Sequence, residues 1–92
     1  MIENFKHRGL KRLYEKGDVK AFPSEYVKKL RFILRRLDGA INIEDVDVET
    51  FQLHPLSGNY KGYWAVTVRA NWRVIFKFEN GSVLDVDYLD YH

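Results

Sequence analysis

Three runs of residues between Trp64 and Tyr88 alternate in character, and almost no chain separates them. Trp64, Val66 and Val68 alternate with Tyr63, Ala65, Thr67 and Arg69. Trp72, Val74, Phe76 and Phe78 alternate with Arg73, Ile75, Lys77 and Glu79, and Leu84, Val86 and Tyr88 with Val83, Asp85 and Asp87. A period of two in β-branched and aromatic residues is the mark of strands, whose side chains alternate between two faces. Asn80-Gly81 is a hairpin signal because both residues tolerate positive φ. Ala70-Asn71 makes the preceding turn. Such short connections permit only antiparallel neighbours. Phe51 and Leu53 alternate with polar partners too, so the sheet is expected to be built mainly from residues 50–89.

The first part of the chain has a different period. Leu10, Leu13 and Tyr14 recur at i, i+3 and i+4, which predicts a helix near residues 7–16 with Gly17 as its stop. Pro23 suits the first turn of a second helix, near 23–38. Val27, Leu30, Leu34 and Leu37 form its buried stripe, widened by Tyr26 and Ile33, and Gly39 ends it. Phe32, among the basic residues, either packs on the first helix or stands as an exposed aromatic, and packing is expected because helix pairs in small domains bury more than one face. Residues 2–5 suit a short first strand. Ile41, Ile43, Val46 and Val48 fit neither period, so 40–49 reads as an irregular connection with one helical turn. The expected fold is α+β: two N-terminal helices packed on one face of an antiparallel β-sheet. Ninety-two residues leave room for a single domain, 1–92, with one core.

Composition removes several function classes. With no cysteine, disulfides, thiolate catalysis and cysteine-ligated zinc are all excluded, and a reducing cytoplasm fits. No apolar run approaches the ~20 residues of a membrane span. Met1 to Lys6 lacks the apolar centre of a secretory signal. Charge is unevenly placed. Residues 1–37 hold eleven Lys/Arg against four Asp/Glu, a balance of +7, and residues 38–92 hold four against nine, a balance of −5. Lys28, Arg31 and Arg35 project from the second helix away from its apolar stripe. Such a face can grip a polyanion by neutralising phosphates, or simply solvate the helix.

Two short motifs hold groups that move protons near neutral pH. His54 precedes Pro55, which marks a strand end, and an imidazole there can point into a cleft. Asp90-Tyr91-His92 follows the last strand. In a fully extended backbone Asp90 and His92 share one face and Tyr91 the other, so convergence of all three needs a bend. Arg69 and Arg73 flank the Ala70-Asn71 turn, and a guanidinium suits phosphate oxygens and developing negative charge. His7, between Lys6 and Arg8, reads as a surface residue. His54, Asp90 and His92 could in principle hold zinc, but no HxxxH or HxH spacing supports a metal site, and no cofactor is implied.

Several blocks resemble the HigB toxins of the wider RelE superfamily. They are Phe5-Lys6-His7-Arg8-Gly9-Leu10, Leu53-His54-Pro55-Leu56-Ser57-Gly58, Gly62-Tyr63-Trp64, Val68-Arg69-Ala70-Asn71-Trp72-Arg73 and Asp90-Tyr91-His92. The resemblance covers nearly the whole chain. It implies a RelE-like fold and the toxin of a type II toxin–antitoxin system, which enters the ribosomal A site and cleaves mRNA there. It implies a HigA-type helix-turn-helix antitoxin as partner, with DNA reached only through that antitoxin. It maps catalytic residues onto His54, Asp90, Tyr91 and His92, and a phosphate contact onto Arg73. Family members often carry lysine where this chain has Ser57; Lys61 or Arg69 could take over that contact.

Metal-independent RNA cleavage needs a base for the 2′-OH, a cation at the phosphate and an acid for the leaving 5′-oxygen. His54 and His92 can supply the proton transfers in either assignment. Two other readings stand beside this one. A ParE-like toxin shares the fold but acts on DNA gyrase, and needs no acid–base set. A non-catalytic RNA-binding regulator would keep the basic helix without needing the histidines.

Overall fold

The computed structural model describes residues 1–91, so His92 lies outside the described residues. Helix α1 spans Arg8–Lys16 and α2 spans Ser24–Gly39. Strands β1 (His54–Pro55), β2 (Trp64–Arg69), β3 (Trp72–Glu79) and β4 (Ser82–Asp90) form one antiparallel sheet in the order β1-β2-β3-β4. Both helices lie where the 3.6-residue period puts them. Gly17 closes α1 in the left-handed region at φ 67°, and its N–H reaches the Leu13 carbonyl. Both Asn80 and Gly81 have positive φ at the β3–β4 turn, as their hairpin role requires.

The apolar stripe of α2 decides the packing. Leu30, Ile33, Leu34 and Leu37 are buried against Val66, Val68, Val74, Phe76, Val83 and Val86 of the sheet. Each fully buried leucine contributes about 1.5–3 kcal/mol relative to an exposed one. α1 adds Leu10 and Leu13 to the same core. The other face of the sheet is not simply polar. Leu56, Tyr63, Ala65 and Ile75 form a second, smaller cluster there, with Tyr60 and Leu89 against it. Val46 lies in a 3-10 turn over Ile43–Val46, the one helical turn expected in the 40–49 connection.

Four expectations need correction. Residues 50–53 are not strand: Glu49–Phe51 is a 3-10 turn, and Gln52 leaves it in the left-handed region with φ 51° and ψ 48°. The turn lets Phe51 drop fully into the core, which an extended segment at the sheet edge would not do. Residues 2–5 make only isolated bridges, Ile2 to Val83 and Phe5 to Val86, which run parallel and cover the open edge of β4. Phe32 packs edge-to-face on Phe51 at 5.3 Å rather than on α1. His7 is not a plain surface residue. It caps α1, its Nδ1 accepting from the Leu10 N–H at 3.1 Å, and its ring lies against Phe22 and Tyr88.

Candidate active site on the open face of the sheet

Strand register settles which side chains share a face, because directly paired residues project to the same side. His54 pairs with Ala65, and Ala65 with Ile75. Thr67, two residues beyond Ala65, pairs with Arg73, and Arg73 with Leu89. These residues therefore line the face opposite the helices. Tyr91 continues the alternation from Leu89, and its N–H bonds to the Asn71 carbonyl at 2.8 Å. His54, Arg73 and Tyr91 thus stand on one open surface. His54 and Arg73 are two strand spacings apart across the sheet and two residues apart along it, roughly 12 Å, which is room for a nucleotide phosphate between long side chains.

The tautomer of His54 follows from its neighbour. Nδ1 lies 2.8 Å from the backbone carbonyl of Gln52. A carbonyl can only accept, so Nδ1 carries the proton, and Nε2 of the neutral ring is left as a bare acceptor. Gln52 is held in turn: its side-chain Oε1 accepts from the Thr67 hydroxyl at 3.2 Å. Neither Gln52 nor Thr67 stands out in the sequence. Glutamine is not a residue that advertises positive φ, and a threonine in a strand is ordinary.

Arg73 is fixed by its own strand end. One Nη donates to the Ala70 carbonyl at 2.6 Å and to that of Trp72 at 3.2 Å. Those bonds hold the guanidinium over the β2–β3 turn, beside the segment where Tyr91 docks. Its Nε is buried and has no partner among the described residues. The charge is felt in the helical layer as well. Lys29 has its pKa lowered, first by burial and then by the positive charge of Arg73. Its ammonium donates to the Thr50 carbonyl at 2.9 Å.

Other candidates fall elsewhere. Asp90 pairs with Trp72, and Trp72 packs against the helix-side core, so Asp90 points away from the His54 face. Its charge helps push the Tyr88 phenol up to about 12, after burial and after Tyr26. This separation also removes Asp90 from any metal set with His54. Arg69 faces Glu25 of α2 at 3.9 Å, an exposed pair that contributes little to stability. Lys61 is exposed just after the 3-10 turn Gly58–Tyr60, on the connection between β1 and β2. Lys28, Arg31 and Arg35 are exposed on α2. Lys28 and Arg35 line a groove of about 590 Å³ with Glu25, Lys29, Phe32 and Thr50. Arg31 and Arg35 line a smaller one, of about 200 Å³, with Leu13, Tyr14 and Leu34. The chain thus carries two cationic regions, one on each layer.

Comparison with known proteins adds the family context. The model of a family described as the RelE-like toxin of the type II toxin-antitoxin system HigB matches residues 3–92. A protein of Proteus vulgaris named Endoribonuclease HigB is 45% identical over 92 residues, the full length of both chains. Among solved structures, a YafQ mutant from E. coli superposes with a TM-score of 0.57 at 22% identity, covering 92% of this chain and 86% of its own. A chain of the YoeB-YefM complex from Staphylococcus aureus gives 0.56 at 17% identity, covering 100% of this chain and 95% of that one. At those identities the two structures speak for the fold alone.

Proposed function

This chain belongs to the HigB-like toxins, RelE-like toxins of type II toxin–antitoxin systems, and we propose that it is the endoribonuclease of such a system, cutting mRNA held in the ribosomal A site without a metal. Endoribonuclease activity is supported by the full-length similarity to the Proteus vulgaris enzyme. The observation that carries the chemistry is the His54 ring. With Nδ1–H tied to the Gln52 carbonyl, Nε2 can take the proton of a ribose 2′-OH. The 2′-oxygen then attacks the adjacent phosphorus as the bond to the 5′-oxygen breaks. Arg73 offsets negative charge on the phosphate, and the exposed Tyr91 ring stacks on a base or aligns the backbone. His92 returns a proton to the leaving 5′-oxygen. Asp90, facing the helix side, anchors the strand end from which Tyr91 and His92 emerge. The products are a 2′,3′-cyclic phosphate, or its opened form, and a 5′-hydroxyl.

The placement of the half-buried His54 and Arg73 on a sheet face supports ribosome dependence. General acid–base groups supply roughly 10²–10⁴-fold, and the rest has to come from a substrate already held in register. Lys28, Arg31 and Arg35 then bind ribosomal RNA, with Lys61 and Arg69 near the mRNA backbone. A HigA-type helix-turn-helix antitoxin is the proposed neutralising partner, and the cytoplasm is the proposed location. Primer extension on translating mRNA, compared with naked mRNA at equal protein concentration, tests the reading. Cleavage only of the translating message is expected. Equal cleavage of both would refute ribosome dependence, and no cleavage of either would refute the enzyme.

A further inference from the structure

We propose that Gln52 and Thr67 are positioning residues that hold His54 in its base-competent tautomer. The inference rests on the reading of His54 as the base. Free histidine in water favours the tautomer with the proton on Nε2, which is the wrong one for a base acting through Nε2. The chain reverses that preference locally. Gln52 leaves the Glu49–Phe51 turn with φ 51°, a backbone state uncommon for a residue with a side chain. That turn aims its carbonyl at the ring two residues ahead, 2.8 Å from Nδ1. An uncommon backbone state persists where its surroundings hold it.

Here the side chain of the same residue is held from the sheet. Oε1 of Gln52 accepts from Thr67 at 3.2 Å, and Thr67 pairs across the ladder with Arg73. One chain of contacts thus runs from the strand of the phosphate cation, through Thr67 and Gln52, to the proton acceptor. Gln52 and Thr67 need touch no substrate. Their part is to set which nitrogen of His54 is bare and where it points.

The test reads the tautomer directly. In ¹⁵N-labelled protein at mildly alkaline pH, long-range proton–nitrogen correlations show which ring nitrogen carries hydrogen, and His54→Gln identifies the resonances. The wild type is expected to show His54 with Nδ1 protonated. Thr67→Val, which keeps the strand but lacks the hydroxyl, is expected to give a mixture. Gln52→Gly, which tolerates the backbone without strain but loses the amide, is expected to do the same. Thr67→Ser should restore the wild-type form. Cleavage turnover should fall roughly tenfold in Thr67→Val with KM unchanged, and recover in Thr67→Ser. Protonation on Nε2 in the wild type, or an unchanged tautomer and turnover in Thr67→Val, would overturn the proposal. The spectrum involves no RNA, so it stands apart from the functional reading. A His54→Gln protein that still cuts translating mRNA at the wild-type rate would defeat that reading and the catalytic half of this one, leaving the spectrum to decide the tautomer half.

Discussion

Trp72 and Tyr88 lie face to face, their ring centroids 4.7 Å apart and their planes within 8° of parallel. The stack joins β3 to β4 on the helix side, one residue from Arg73 and two before Asp90. Phe22 meets Tyr88 edge-on at 5.2 Å, and His7 does so at 5.5 Å. An aromatic cluster on the buried face thereby fixes the strand ends that carry Arg73 and Tyr91 on the open face.

Tyr88 gives a prediction with two arms. Among the described residues its buried phenol oxygen has no hydrogen-bond partner, and burial is the first cause of its raised pKa, about 12. Leaving a buried polar group unpaired costs about 1–3 kcal/mol. Tyr88→Phe keeps the stack and removes the hydroxyl, so it should be at least as stable as the wild type. Tyr88→Ala loses the ring and should cost about 3–5 kcal/mol. Urea unfolding of the two variants checks both. A destabilised Tyr88→Phe would mean that the hydroxyl has a partner of its own.

His7 predicts a pH dependence of stability. Burial lowers its pKa, and its Nδ1 must stay bare to cap α1. The folded state therefore disfavours the charged ring relative to the unfolded chain. Its contribution is fully present above the unfolded value of about 6.5 and is lost as pH falls from there through the folded value. His7→Asn, a capping residue that does not titrate, should flatten the slope of unfolding free energy with pH in that window. An identical slope in the variant would clear His7 and point to another imidazole.

Much of this architecture is legible in periodicity. The alternation from Trp64 to Tyr88 carries the sheet, and the stripe from Leu30 to Leu37 carries the helix that covers it. The errors fall where a local signal is short or chemically unusual. Phe51 and Leu53 suggest alternation, but two residues cannot distinguish a strand from a 3-10 turn that buries one of them. Histidine is not among the usual helix caps, so His7 carries no capping signal. The pairing shift between Ile75 and Lys77, with Asp85 opposite at φ 53°, changes the phase of β4 without altering its composition. At the site, His54, Arg73 and Tyr91 can be named from residue type, but their shared face depends on register. Gln52 and Thr67 cannot be named that way, because their part depends on a carbonyl direction and one hydroxyl.

The cationic face of α2 is expected to act on affinity. Reversing the charge of Lys28, Arg31 and Arg35 should weaken ribosome association and make it less steep in salt. Each neutralised phosphate accounts for about 0.7–0.9 of the slope of log K against log salt, so the triple variant should show a slope shallower by roughly 2–3. Sedimentation of the protein with ribosomes across a salt series measures it. The tautomer of His54, held by the Gln52 carbonyl, should not change. An unaltered slope would make these residues a solvated surface.

In the proposed reaction the described part of the open face supplies the base, the cation and an aromatic ring, but the leaving 5′-oxygen still needs a proton. Asp90 is turned to the helix side beside Trp72, so it is poorly placed to give one. That leaves His92, the residue after Tyr91 in the sequence, as the proposed acid. Replacing His92 with Gln should abolish growth inhibition and lower single-turnover cleavage of translating mRNA by roughly 10²–10⁴-fold, the range a positioned general acid commands. Urea unfolding and binding to the antitoxin should be unchanged, because neither depends on that proton. A substrate with a 5′-bridging sulfur, whose thiolate leaves without protonation, should restore most of the rate in His92→Gln but not in His54→Gln. If the sulfur substrate rescued neither variant, or if His92→Gln remained toxic, the acid would have to be sought at Tyr91.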